Sequence, residues 1–152
     1  MRHLYKTAVL AMLVVRALPA QAPVLNWGPA PPVFPAGAKM AVLQGDPGKP
    51  GLFTVRLDLP NGYKVAPHTH PTDEQLTIIK GTFLLGMGDK VDAARATKLR
   101  AGEFDVVGAN MHHYAIAEGQ TIVQVHAMGP FVLTYVNPAD DPSRKTTAKS
   151  HQ

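Results

Sequence analysis

Between residues 39 and 136 the chain alternates short apolar or alternating runs with clusters of turn residues. Successive side chains of a strand point to opposite faces of a sheet, so runs of this kind are typical of strands with one buried face. Gly, Pro, Asn and Asp stand between nearly all of them, as tight turns require. The pattern predicts nine strands: "KMAVLQ", "LFTVRLDL", "KVAPH", "EQLTIIK", "TFLLGMG", "FDVVG", "HHYAIA", "TIVQVHA" and "FVLTYV".

A single convincing helical segment interrupts this pattern, "KVDAARATKL" at residues 90 to 99, and it is too short to form a layer of its own. Many short strands with few helices favour an all-β architecture, either a closed barrel or a two-sheet sandwich. The 152 residues leave room for one hydrophobic core. We therefore expect a single barrel domain over residues 39–138.

The N-terminal residues 1–20 have the pattern of an export signal. Arg2, His3 and Lys6 precede the apolar run "TAVLAMLVV", and "RALPAQA" offers small residues for cleavage near Ala20. The run is too short to span a bilayer, so we expect no stable membrane anchor after cleavage and a periplasmic or secreted protein. The alternative is an ordinary N-terminal helix, which Arg16 favours.

Two further segments flank the expected barrel. Residues 21–38 are rich in proline, which favours an extended arm that either drapes over the domain or pairs with a neighbouring subunit. Trp27 and Phe34 are its natural anchors, although a mobile leader is equally consistent with the composition. Residues 139–152 form a basic stretch that we expect to be a flexible tail.

Composition narrows the chemistry that this chain can perform. Cysteine is absent, so a metal ion would have to be held by histidines and carboxylates. The net charge is +4 and the isoelectric point is near 9.5, but the basic residues are scattered, and we expect no nucleic-acid partner. Phosphate-binding loops, dinucleotide-binding glycine patterns and a serine-hydrolase elbow do not occur in the sequence.

The stretch "APHTHPTDEQ" holds the most informative polar residues. His68 and His70 are two apart and share a face if the strand continues through them, and Pro71 then helps to end it. Glu74 opens the next strand, so it can lie beside both imidazoles, in a set that suits divalent metals such as Fe(II). A later strand offers His112 and His113, and either could reach inward. Taken singly, each of these residues is equally well explained as a surface or core side chain.

These spacings resemble those of the cupin superfamily. Residues 62 to 81, "GYKVAPHTHPTDEQLTIIKG", fit the first cupin motif, G(X)5HXH(X)3,4E(X)6G, at every specified position. The segment from Gly102, "GEFDVVGANMHHYAIA", aligns with the second motif, G(X)5PXG(X)2H(X)3N, and places its histidine at His113. Three positions of the second motif differ, with Gly108 for proline, Asn110 for glycine and Ala117 for asparagine.

The resemblance implies an antiparallel jelly-roll β-barrel, or double-stranded β-helix, in a single-domain cupin. It implies that His68, His70, Glu74 and His113 hold one divalent transition metal, which can be Fe, Mn, Ni, Cu or Zn. Cupins commonly form dimers, and the extended arm is compatible with a homodimer. We therefore expect a small-molecule substrate or ligand at a mononuclear site with three histidines and one glutamate.

The function expected from this site is that of a small dioxygenase-like oxidoreductase acting on an oxygenated organic molecule, with Glu74 as a candidate proton acceptor. A non-redox lyase, isomerase or hydrolase and a ligand-binding protein without turnover are the alternatives, because the fold alone does not choose among them. Gln124 and His126 share one face of the run "TIVQVHA". They line the pocket if that face is internal, and they lie on the surface if Val123 and Val125 are internal.

Overall fold

The computed structural model describes residues 24–147. Within that range the chain forms nine strands, one turn of 3-10 helix and one short α-helix. The strands are β1 (Gly28–Pro29), β2 (Lys39–Gln44), β3 (Gly51–Leu59), β4 (Lys64–Thr69), β5 (Glu74–Met87), β6 (Thr97–Arg100), β7 (Phe104–Val107), β8 (His113–Gly129) and β9 (Thr134–Tyr135). The 3-10 turn is Pro138–Asp140, and the helix, α1, is Pro142–Thr147.

All strand pairs are antiparallel, and two long strands organise the sheet. β8 pairs with β3, β4 and β5, while β5 also pairs with β6 and β7. A strand that takes partners along both edges curls the sheet around it and encloses one face. The enclosed face carries the core, and its apolar residues include Phe53, Leu59, Ile78 and Val123. The expected all-β jelly roll is confirmed.

Strands β5 and β8 each join two predicted strands, so the turns predicted at "KG" and "EGQ" are wrong. The chain bends there through register shifts and does not reverse. Gly81 has φ +80°, and a Cβ at this position would collide with the backbone carbonyl of Gln120 and with Thr121. Only glycine combines that φ with so close an approach of two strands. The motif glycine therefore allows the long strand to bend.

The helix predicted at residues 90 to 99 is wrong. The N–H groups of Ala94 and Arg95 donate to the side chain and the carbonyl of Asp92, which forms a turn. The end of the segment is strand β6, which pairs with β5 and buries Leu99. Burying that leucine in the sheet outweighs a weak local helix preference. The α-helix of the described chain is instead α1, near residue 147. Of the last predicted strand, only residues 134–135 are paired.

The proline-rich segment lies against the barrel from Gly28 onward. β1 pairs with β2, and the Ala30 N–H donates to the carbonyl of the buried Ala38. The expected signal peptide and residues 148–152 of the expected tail lie outside the described residues. Between residues 24 and 147 no helix is long and apolar enough to cross a membrane.

Candidate metal centre

Three buried histidines meet inside the barrel. His68 in β4 and His113 at the start of β8 are direct cross-strand partners, and their ring centroids are 4.1 Å apart. His70 follows β4 directly, and its ring lies 4.9 Å from that of His68 and 5.2 Å from that of His113. Each of the three side chains is at most 4% exposed. The arrangement brings together residues that the sequence separates into two distant segments.

Backbone carbonyls fix the tautomer of all three rings. The Nδ1–H groups of His68 and His70 donate to the carbonyls of Ala66 and Val132 at 2.8 and 2.9 Å. His113 donates from Nδ1 to the Met111 carbonyl at 3.1 Å. A carbonyl oxygen only accepts, so the Nε2 atoms carry the lone pairs in the neutral rings. Such rings are oriented for a metal before it binds.

Glu74, the first residue of β5, places its carboxylate beside two of these rings. Its Oε2 atom lies 3.2 Å from Nε2 of His113 and 3.7 Å from Nε2 of His70. Within the described chain, neither of these two buried Nε2 atoms has a hydrogen-bond partner. Buried polar atoms are rarely left in this state, and a coordinated cation would satisfy both.

Electrostatics favour the neutral form that a metal requires for two of the imidazoles, those of His68 and His70. Burial lowers the pKa of His68 well below its usual value, and the neighbouring His113 and His70 lower it further. Burial also lowers the pKa of His70, although Glu74 and the Val132 carbonyl oppose that shift. The donor atoms of the three histidines all lie within 4.8 Å of one another. This donor set fits a divalent transition metal.

The loop before His113 is fixed to the segment that carries His70. The Asn110 N–H donates to the His70 carbonyl, and the Ala109 N–H donates to the Asp73 side chain, both at 2.8 Å. Asn110 has φ +61°, the left-handed conformation that the glycine of the second cupin motif would adopt freely. Asparagine tolerates this conformation better than most residues, which explains how the departure from the motif is accommodated.

The cluster opens into a small cavity of about 30 Å³, which is space for about two water molecules. Its remaining walls are apolar and come from the inner faces of β3, β5 and β8. The ring of Phe131 stacks on that of His70 with centroids 4.0 Å apart and covers this imidazole. Such walls keep bulk water away from the three Nε2 atoms.

Gln124 and His126 lie on the other face of β8, so their placement in the pocket is wrong. Val123 and Val125 line the cavity instead. The Gln124 side chain accepts from Arg56 at 3.1 Å, and Nδ1 of His126 lies 2.8 Å from the Thr54 hydroxyl. Alternation along the strand predicted the two faces, but which face is internal depends on how the sheet closes.

His112 also points away from the cluster and pairs with Asp89 on the surface. Several cavity residues are not among the site residues that the sequence predicts, including Phe34 of the proline-rich segment and Leu133 between β8 and β9. Phe34 had been identified as an anchor for the arm, but nothing in the local sequence shows that it reaches the histidines. Trp27, the other expected anchor, is 36% exposed.

No protein-family profile and no curated protein matches the sequence. Solved structures do match the fold. A candidate acetylacetone dioxygenase from Methylibium petroleiphilum aligns with a TM-score of 0.60 and 23% identity over 85% of this chain and 90% of that one. The polyketide cyclase RemF from Streptomyces resistomycificus aligns with a TM-score of 0.56 and 17% identity over 72% and 78% of the two chains.

An RmlC-like cupin from Shewanella frigidimarina aligns in the same way, with a TM-score of 0.54 and 15% identity over 70% of this chain and 86% of that one. At such low identities the alignments establish the architecture and leave the chemistry open.

Proposed function

On the premise that this chain is a cupin by fold, we propose that it is a small metal-dependent oxidoreductase of the dioxygenase type, acting on an oxygenated organic molecule. The observation that carries the proposal is the set of three buried imidazoles whose Nε2 atoms converge beside Glu74. His68, His70 and His113 would hold one divalent transition metal, with Glu74 as the fourth ligand. Such a metal supplies Lewis acidity and, if it is redox-active, electron transfer.

The protein's own residues prepare this site for small reactants. The three backbone carbonyls hold the imidazoles in one orientation, so the donor atoms need little reorganisation. The apolar walls exclude bulk water and admit an apolar gas such as dioxygen. The candidate dioxygenase among the structural neighbours supports this class of reaction.

Glu74 is also the proposed proton acceptor, a role that requires its carboxylate to be released from the metal. It is the only carboxylate among the residues that line the described cavity, and its side chain is buried against two imidazoles. A carboxylate in this position can take a proton from an enol or α-carbon bound beside the histidines. Substitution by glutamine removes that capacity and keeps the shape of the side chain.

The proposal includes export and self-association. The expected signal at residues 1–20 supports a periplasmic or secreted location. β1 stands at the end of the strand order, and an edge strand of this kind supports a homodimer in which residues 24–38 contribute to the contact. Gel filtration of residues 21–152 and of 38–152 tests the second point, and an unchanged monomer in both would reject it.

Metal content and oxygen uptake of the purified protein test the proposed function. We expect about one Fe, Mn, Ni or Cu per chain, which His70→Ala removes and His126→Ala retains, because His126 lies on the outer face. Oxygen uptake with a panel of small phenols, enols and dicarbonyl compounds should occur in the variants that retain the metal and be lost in those without it. Stoichiometric zinc without oxygen uptake would replace the proposal with Lewis-acid chemistry, and equal metal content in both variants would reject the ligand assignment.

A further inference from the structure

Residues 31–37 form a short strap across the mouth of the barrel. Two tyrosines hold it by their hydroxyl groups: Tyr63 donates to the Pro35 carbonyl at 2.6 Å and Tyr135 donates to the Val33 carbonyl at 2.8 Å. The Phe34 N–H donates to Pro31 at 2.9 Å, which closes a turn within the strap. The two clamps stand on either side of Phe34 and direct its ring into the barrel.

The hydrogen bonds from Tyr63 and Tyr135 to the strap persist at neutral pH. Burial raises the pKa of both tyrosines, that of Tyr135 to about 12 with further help from Asp141. Both hydroxyls therefore remain protonated and continue to donate at neutral pH. Neither tyrosine lines a cavity beside the strap, so their contribution is to position the strap and not to contact a ligand there.

Phe34 lines two neighbouring cavities. The inner cavity, of about 30 Å³, contains the histidine cluster, and the outer cavity, of about 110 Å³, lies beneath the strap. The two cavities share walls from the strap, from β3, β5 and β8, and from the segment after β8; the shared residues are Phe34, Leu57, Glu74, Val125 and Leu133. The ring of Phe34 therefore limits how far a molecule bound at the histidines can extend.

The chemistry of the walls restricts what can bind. Glu74 is the one polar side chain on the walls described for the outer cavity. The inner cavity has Glu74 and the three histidines as its polar side chains, and its other walls are apolar. Neither cavity has a lysine or arginine on its walls. In the outer cavity a carboxylate or phosphate group would lose its hydration without a cationic partner and would face Glu74.

We propose that Phe34 is the outer wall of a substrate chamber that selects small molecules with an apolar, uncharged body and an oxygen donor at the end facing the histidines. The assignment of a substrate class rests on the proposed function, because a metal at the histidines is what receives the oxygen donor. The position of Phe34 on the walls of both cavities does not depend on that metal.

Three hydroxamates test the chamber in the Co(II)-loaded protein, since their binding changes the visible absorption of the metal. We expect wild type to prefer acetohydroxamate over benzohydroxamate, and Phe34→Ala to shift that ratio by about tenfold toward benzohydroxamate. Phe104→Ala is the matched control, because Phe104 is 54% exposed on β7, away from both cavities. 4-Carboxybenzohydroxamate should bind Phe34→Ala about tenfold more weakly than benzohydroxamate does.

Two further variants distinguish the effect of removing the Phe34 wall from the effect of a general loss of structure. Phe34→Leu keeps an apolar side chain of smaller reach and should shift the ratio in the same direction by less. Tyr63→Phe combined with Tyr135→Phe leaves the cavity walls unchanged and releases the strap, so it should also favour benzohydroxamate. An unchanged ratio in all three variants would overturn the proposal, and so would tight binding of the carboxylated probe.

Benzene tests the chamber without any metal. Apolar cavities of sufficient size bind benzene, so saturating benzene should raise the melting temperature of metal-free Phe34→Ala and leave metal-free wild type and Phe104→Ala unchanged. The absence of this shift in Phe34→Ala overturns the chamber. A benzene shift in a protein that does not bind Co(II) supports the chamber and places the failure in the proposed metal function.

Discussion

Acidification should destabilise the metal-free protein through the histidine cluster. Burial lowers the pKa of His68 and His70 below the usual value of 6.5. As the pH falls below about 6.5, these two histidines bind protons in the unfolded chain but stay neutral in the folded chain. The stabilisation from these neutral rings is therefore complete above that pH and decreases as the pH falls toward the folded pKa values.

The magnitude follows from proton linkage. At about pH 5.5, one unit below the unfolded pKa, a ring that stays neutral in the folded state costs about 1 kcal/mol. His68, whose pKa lies well below its usual value, contributes one such cost, and His70 contributes up to one more, so the total lies between about 1 and 3 kcal/mol, a large part of the stability of a small domain. The carboxyl groups with lowered pKa, Asp46 and Asp141, lose their contribution only at lower pH, near and below 3.8.

Urea unfolding followed by circular dichroism measures this effect in protein treated with EDTA. We expect wild type to lose about 1 to 3 kcal/mol between about pH 7.5 and 5.5. The double variant His68→Gln with His70→Gln should lose much less, because glutamine does not titrate. His126→Gln, on the outer face of β8, should behave as wild type does. Equal losses in wild type and the double variant would refute the reasoning.

Three single substitutions test the packing around the site. Phe53→Ala should lower the free energy of unfolding by about 3 to 5 kcal/mol, because this ring is fully buried, and a loss below about 1 kcal/mol would contradict the described core. Gly81→Ala should cost more than about 2 kcal/mol, since φ is +80° and a Cβ meets Gln120; an unchanged melting temperature would exclude the bend. Thr121→Val should cost about 1 to 3 kcal/mol, because its hydroxyl donates to the Thr82 carbonyl at 2.8 Å, and a neutral result would reject that bond.

Local sequence predicts the parts of this fold that depend on alternation. The bounds of β2 agree with its apolar run, and those of β3 and β4 differ from the prediction by one residue. The H-x-H spacing predicts that His68 and His70 share a face, and both are buried. These features need only the period of a strand and the turn residues that end it.

Features that depend on closure of the sheet were not predictable in this way. A glycine at a bend and a glycine at a turn look alike in sequence, so Gly81 was taken to end a strand that continues through it. β6 was missed because only Leu99 of its four residues is buried, and its strand partner lies elsewhere in the chain. The strap is held by Tyr63 and Tyr135, which belong to β-barrel segments far from it in sequence.

The cross-strand pairing of His68 with His113 has a consequence for when a metal can be acquired. An unfolded chain already contains His68 and His70 close together, and such a pair chelates weakly. His113 joins them only after β4 and β8 have paired. A metal that also binds the unfolded chain stabilises the folded state less. The preference of the metal for the folded state would therefore come chiefly from His113. A metal held by all three histidines would cross-link two distant segments of the chain. Tight metal binding would therefore follow folding and would not guide the first steps of folding.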